Sequence, residues 1–464
     1  MTVAGEWLIR GVRQLGRDPS DLLLRGGLIA EVGPAGSVSA PAGAQVYDAD
    51  GLVALPGLVD LHSHLREPGR EDAETVESGT LAAALGGYTA VFAMPNTEPA
   101  ADTAGVVEQV WRLGREAGHC DVRPIGAVTA GRRGEVLAEL GAMAESAAAV
   151  RIFSDDGNCV DDAVLMRRAL EYVKAFDGVI AQHAQEPRLT QGAQMNEGEL
   201  SGVLGLTGWP ATAEEAVIAR DALLAAHVGS RLHVCHVSTA GSVEIIRWAK
   251  GKGWNVTAEV TPHHLLLTDE LVRSYDPVYK VNPPLRTADD VAALRAGLAD
   301  GTIDAVATDH APHPVEDKDC EWAAAAFGVV GLETALSVVC AAMVETGLLD
   351  WAGVADRMSV RPAAIGRLPD HGQLQPAGTP RAGGSRAGKT ALPGDPSLAH
   401  GKARFANGLV ANLTLVDPAA RWTVDPAALA SRSRNTPFAG RELPARVVAT
   451  FLRGHPTVID GKPA

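Results

Sequence analysis

Between Leu58 and His310 short apolar runs alternate with longer segments of helical period, and this alternation restricts the possible folds more than any other feature of the sequence. Eight runs read as strands: 58–62, 89–94, 121–127, 149–154, 179–183, 231–236, 255–260 and 303–309. Amphipathic stretches such as 213–226 and 242–250 lie between them. A helical return brings each strand back parallel to the one before it. Eight parallel strands with such returns predict an α/β chain folded as a closed (β/α)8, TIM-like barrel. Barrels of this kind carry their chemistry on the loops that follow the strand C-terminal ends, so functional residues are sought there.

The flanking segments have a different texture. Residues 21–32 and 44–54 read as short strands separated by Gly-rich turns, and 409–416 and 445–452 read the same way. Because these two groups bracket the barrel, they are expected to meet as a small β-sandwich domain built from both termini. The expected division is 1–55 and 366–464 for that domain and 56–365 for the barrel. Segment 376–408 is dense in Gly, Pro, Ala and Ser and sets Arg381, Arg386, Lys389, Lys402 and Arg404 against one acid, Asp395. It reads as an inserted, mobile surface loop.

Charge narrows the function. A formal charge of −15 over 464 residues argues against a nucleic-acid partner, which would require clustered Lys and Arg. Cys120, Cys159, Cys235, Cys320 and Cys340 are scattered and odd in number, with no Cys-x-x-Cys pair, which suits a reducing compartment better than a disulfide framework. No secretory signal is expected at the N-terminus, and the apolar stretch 323–344 is expected to be a buried helix, not a membrane span. A cytoplasmic protein is the reading that follows.

His62 and His64 end the first strand two residues apart, so both rings can address one ion. Imidazole is a common zinc ligand. Histidine and aspartate recur at other strand ends: Asp155–Asp156 after the fourth, His183 after the fifth, His236 after the sixth and Asp309 after the eighth. Two imidazoles and a carboxylate per ion, with one carboxylate shared, would hold a pair of zinc ions. Zinc lowers the pKa of bound water to about 7 and polarises a carbonyl, which brings attack on an amide within reach at neutral pH. Asp309, on the last strand, is the candidate general acid and base. His263 and His264 read as supporting or packing groups, and His233 is expected to point out of the barrel. Cys159 and Cys235 have no paired base for nucleophilic chemistry.

The run Leu-Pro-Gly-Leu-Val-Asp-Leu-His-Ser-His-Leu-Arg-Glu-Pro-Gly at 55–69 resembles the opening signature of bacterial type I dihydroorotases, members of the amidohydrolase superfamily. The resemblance continues through Met-Pro-Asn-Thr at 94–97, Phe-Ser-Asp-Asp-Gly at 153–157, Cys-His-Val-Ser-Thr at 235–239 and Glu-Val-Thr-Pro-His-His at 259–264. It extends to Lys-Val-Asn-Pro-Pro-Leu-Arg at 280–286, Ala-Thr-Asp-His-Ala-Pro-His at 307–313, Phe-Gly-Val-Val-Gly-Leu-Glu-Thr at 327–334 and Asn-Thr-Pro-Phe at 435–438. It implies the zinc-dependent, reversible cyclisation of N-carbamoyl-L-aspartate to L-dihydroorotate in pyrimidine biosynthesis. A metal-bound hydroxide would open the ring amide while Asp309 protonates the leaving nitrogen. The implied metal ligands are His62, His64, Asp156, His183, His236 and Asp309, around one or two zinc ions, with two expected.

By the same resemblance Arg66, Asn96 and His313 hold the substrate carboxylate beside His64. Asn282 and the main chain at Phe327 and Gly328 address the ring amide and carbonyl. Related enzymes carry a carboxylated lysine after the fourth strand; here Arg-Ile-Phe-Ser-Asp-Asp at 151–156 offers none, and the resemblance favours Asp156 over Asp155 as the bridge. A homodimer and an aspartate transcarbamoylase partner are implied associations. The competing readings are a hydantoinase- or allantoinase-like hydrolase and a non-catalytic partner of the transcarbamoylase. The polar segment between His313 and Phe327 reads as a loop that closes over substrate.

Overall fold

The computed structural model describes residues 5–375 and 403–464. Strand β1 (Leu58–Ser63) pairs in parallel with β2 (Tyr88–Ala93), and β2 with β3 (Asp121–Pro124). A second parallel run contains β4 (Ile152–Phe153), β5 (Val179–Gln182), β6 (Arg231–Val234), β7 (Val256–Val260) and β8 (Ala305–Val306), in that order. Single bridges join the two runs, Gly126 with Phe153 between β3 and β4 and Ser63 with His310 between β8 and β1. The ring is therefore closed. Asp60 reinforces the last seam, accepting from the Thr308 N–H at 2.7 Å and the Thr308 hydroxyl at 2.6 Å.

The barrel sorts its contents along the axis. Its interior is apolar, with Val59, Phe92, Ile125, Ile152, Val179 and Ala305 in one buried cluster closed off by Ala363, Ile365 and Leu368. Above this cluster, towards the strand C-terminal ends, buried polar side chains take over. Helices pack outside; those predicted at 213–226 and 242–250 form at Thr212–Val228 and Ala240–Gly251. The latter begins at a Thr239 side-chain cap that satisfies the Ser242 N–H. The fourth and eighth strands are shorter than their apolar runs suggested, because Ala149 turns to φ +49° before β4 and Asp309 to φ +48° after β8.

Both termini contribute to a single sheet. Val53–Pro56 lies antiparallel to Leu413–Thr423, which pairs with Glu442–Leu452 on its other side. Trp7–Gln14 pairs with both Val53–Pro56 and Pro19–Arg25. The run 21–32 is two strands, Pro19–Arg25 and Leu28–Pro34, because Gly26 and Gly27 at φ +59° and +82° make the reversal between them. Trp7–Gln14 was not anticipated: Gly11, at φ +75°, sits in a register shift between Ile9 and Val12 that interrupts the apolar alternation. Because Val53–Pro56 leads directly into β1, this sheet anchors the strand that carries His62 and His64.

Segment 323–344 is only partly the expected helix. Ala335–Val339 is helical and continues as a wider turn through Cys340–Val344, mostly buried, whereas the residues before it form turns around Gly328 and Gly331. No helix among the described residues is long and apolar enough to cross a membrane. Residues 376–402 of the predicted insertion lie outside the described residues; Arg404, beyond them, bridges to Gln375.

Phe153 is wholly buried on β4, where the two runs of strands meet. Phe153→Ala is expected to cost about 3–5 kcal/mol, read as a lower urea midpoint at unchanged slope; a loss below about 1 kcal/mol would show that this seam is not tightly packed.

Candidate metal centre

Six side chains from five strand ends converge at the barrel mouth, all at most 7% exposed. The Oδ1 atom of Asp156 lies 3.3 Å from each of three ring nitrogens, His62 Nε2, His183 Nδ1 and His236 Nε2. Its Oδ2 lies 3.4 Å from His64 Nε2. Asp309 Oδ1 is 3.1 Å from His64 Nε2 and 3.5 Å from His62 Nε2. Two groups suited to a cation share Asp156: His62 and His64 on one side, His183 and His236 on the other.

These separations decide whether an ion fits. Ligands about 2.1 Å from a four-coordinate ion lie about 3.4 Å from one another. The Asp156 contacts have that length, which is long for a hydrogen bond. His62 Nε2 is buried without a hydrogen-bond partner, and His183 Nδ1 faces His236 Nε2 at 2.9 Å, nitrogen to nitrogen. The far nitrogens of three rings are tied down: His62 Nδ1 to Glu259 at 2.8 Å, His64 Nδ1 to Asn96 at 2.8 Å and His183 Nε2 to Gln185 at 2.7 Å. The donor set thus suits small divalent cations.

Asp155 faces elsewhere. One of its oxygens accepts from the N–H groups of Val128 and Thr129 at 2.8 and 3.0 Å, and the other takes the Thr129 hydroxyl. Backbone reversals aim other ligands: His236 has φ +32° and Asp309 φ +48°, conformations that non-glycine residues adopt at some cost and that concentrate at functional sites. The His236 reversal also corrects the expectation for His233. Strict alternation would put His233 outside the barrel, yet it is buried and its Nε2 lies 2.9 Å from Glu259 inside.

The predicted substrate residues surround this centre unevenly. Arg66, at φ +62°, donates from Nε to the Pro312 carbonyl at 3.1 Å, leaving its terminal nitrogens for a ligand. Burial lowers its pKa to about 10, so it remains a cation at neutral pH. His313 Nε2 lies 2.8 Å from the Phe327 carbonyl, and burial, reinforced by Arg66 and Lys318, lowers its pKa to about 3. The Gly328 N–H donates to the Lys280 carbonyl at 2.9 Å, so main-chain groups assigned to the ring already have partners within the chain. Asn282 donates to Gln185 at 3.3 Å, while its Oδ1 is buried without a partner. His264 is a packing group tied to Thr261 and Pro283.

Electrostatics keep the two aspartates charged. Burial alone would raise Asp156 and Asp309, but the imidazoles around them, His62 foremost, outweigh it and hold both well below the usual carboxylate range. Cys235 stands beside His62 and Glu259, and burial keeps its thiol far above the ordinary value and hence protonated.

A family model described as Dihydro-orotase-like matches residues 51–242. The chain is 68% identical over 455 residues to the dihydroorotase of Streptomyces coelicolor, covering 98% of this chain and 99% of that one. It is 54% identical over 456 residues to the dihydroorotase of Mycobacterium tuberculosis, covering 98% and 99%. The chain belongs to the dihydroorotase family. It is an enzyme, a cyclic amide hydrolase, as the motifs implied. The L-hydantoinase (dihydropyrimidinase) of Arthrobacter aurescens shares its barrel fold, with a TM-score of 0.83 at 24% identity, covering 99% of this chain and 97% of that one.

Three residues at this dihydroorotase-family site escaped notice in the sequence as participants. Glu259 and Gln185 each hold the far nitrogen of a histidine; Glu259 lies in a quoted motif and Gln185 two residues past His183, but neither offers a spacing that marks it. Arg132, after β3, has a buried Nε without a partner and a charge felt by Asp156. Asp156→Ala is expected to strip bound metal from both groups, whereas His183→Ala should strip one. Metal analysis by mass spectrometry checks this, and equal losses from both variants would mean that the carboxylate is not shared.

Proposed function

We propose that this enzyme interconverts N-carbamoyl-L-aspartate and L-dihydroorotate on zinc held by His62, His64, Asp156, His183, His236 and Asp309. The observation that carries the reading is the shared Asp156 carboxylate, with Asp309 at the edge of the same cluster. Zinc, when bound here, lowers the pKa of water towards neutrality and polarises a carbonyl. Two ions are proposed, one for each histidine pair.

Asp309 has the position and charge of a proton carrier. In ring opening it takes a proton from the attacking water and delivers it to the ring nitrogen as the carbon–nitrogen bond breaks. In cyclisation it removes the proton from the ureido nitrogen as that atom attacks the side-chain carboxyl carbon, and returns it to the departing oxygen. Arg66, Asn96 and His313 bind the carboxylate common to both molecules. The unpaired terminal nitrogens of Arg66 support this, as does Asn96, whose oxygen is taken by His64 so that its amide N–H groups remain to donate. A guanidinium can give a carboxylate two parallel hydrogen bonds, which a hydantoin lacking that group cannot use. Asn282 and the main chain at Phe327 and Gly328 are proposed to line the ring.

The division into a barrel at 56–365 and a second unit from 1–55 and 366–464 belongs to the same proposal, supported by the sheet that joins both ends of the chain. A cytoplasmic setting is supported by five free cysteines. Dimerisation and association with aspartate transcarbamoylase are carried over from the family resemblance, and light scattering on the protein with and without the transcarbamoylase tests both.

Asp309→Asn is expected to lower kcat by about 10²–10⁴ with little change in KM. Arg66→Met should instead raise KM for dihydroorotate. Wild-type enzyme that turns over hydantoin or allantoin faster than dihydroorotate would overturn the substrate assignment.

A further inference from the structure

Beneath the metal centre a buried row of polar side chains runs from β1 through β7 to β6. His62 Nδ1 lies 2.8 Å from Glu259 Oε1, and Glu259 Oε2 lies 2.9 Å from His233 Nε2. His233 Nδ1 lies 2.8 Å from the Thr257 hydroxyl. His62, Glu259 and His233 are 0, 1 and 2% exposed, so water does not supply alternative partners.

An ionised carboxylate only accepts, so both imidazoles must present an N–H to Glu259. In its neutral, ligating form His62 is thereby fixed as the tautomer protonated on Nδ1. Its Nε2, the atom left without a hydrogen-bond partner, then carries a lone pair directed at the group around Asp156. His233 is fixed with its proton on Nε2, which leaves Nδ1 to accept from the Thr257 hydroxyl. A carboxylate behind a ligating imidazole also strengthens it as a donor.

We propose that Glu259 and His233 are positioning residues for the metal centre. Glu259 holds the first imidazole in its ligating tautomer, and His233, anchored by Thr257, holds the Glu259 carboxylate in place. Neither touches substrate. The proposal rests on the reading of His62 as a metal ligand and extends it to two residues on neighbouring strands. It differs from a plain staple between β6 and β7, which would affect stability and leave metal affinity alone.

Glu259→Gln separates the two. The amide can turn its oxygen to His62 and its NH2 to His233, which accepts in its other tautomer, so shape is kept and charge is lost. Zinc affinity, measured by chelator competition on metal-free protein, is expected to fall 10–100-fold, with the thermal midpoint of the metal-free protein nearly unchanged. His233→Ala should weaken zinc binding less. The double variant should bind no more weakly than Glu259→Gln alone, because His233 acts through Glu259. Wild-type affinity in Glu259→Gln, or losses that simply add in the double variant, would overturn the proposal. If Glu259→Gln does not fold, His233→Ala decides, and unchanged zinc affinity there counts equally against it. Failure of the wild-type protein to bind zinc would instead sink the metal reading beneath it.

Discussion

A single carboxylate organises the mouth of this barrel. Asp156 presents one oxygen to imidazoles from β1, β5 and β6 and the other to a second imidazole from β1, all at 3.3–3.4 Å. Four rings crowded together in a dry cavity cannot all hold protons, and a buried aspartate cannot remain charged without partners. Each makes the other tolerable, and a cation between them satisfies both. Strand ends far apart in the chain bring these groups to 3.3–3.4 Å from one another, the spacing that ligands around one small ion would have.

Rigidity at that point is obtained in layers. The apolar interior fixes where the strands end, the ring closure at Asp60 and Thr308 fixes β1 against β8, and anchors on the far nitrogens fix the tautomers of three histidines. Those anchors differ in chemistry. His62 leans on a carboxylate, His64 on the amide of Asn96, which is proposed to bind substrate, and His183 on an amide that continues to Asn282. The last two would link the proposed metal ligands to the residues proposed for substrate. The terminal sheet is coupled as well, since Val53–Pro56 delivers β1 to the centre.

Much of this was legible in the sequence. The strand count, the position of His62, His64, His183, His236 and Asp309 at strand ends, and the terminal sheet all follow from local patterns. Apolar alternation and the residue that ends it are properties of a few neighbouring positions. Family likeness added the roles proposed for the substrate residues, of which Arg66 and Asn96 also lie at strand ends. The misses share a cause. Gly11 hid the Trp7–Gln14 strand by breaking its register, and the glycines at 328 and 331 divided an apolar stretch that otherwise reads as one helix.

The direction in which side chains face was decided only in three dimensions. Asp155 and Asp156 are chemically identical neighbours, and the N–H groups of Val128 and Thr129 with the Thr129 hydroxyl, supplied by another strand's loop, draw the first away and leave the second to the imidazoles. His233 and His236 can both face inward because the backbone leaves the extended conformation at His236, a departure no composition announces. Glu259 meets His62 from nearly two hundred positions further along the chain. The sequence by itself determined which groups stand at the barrel's rim, since that depends on where each strand stops. Tertiary closure decided which of them meet, since that depends on backbone torsions at single residues and on a ring that joins the two ends of a long stretch of chain.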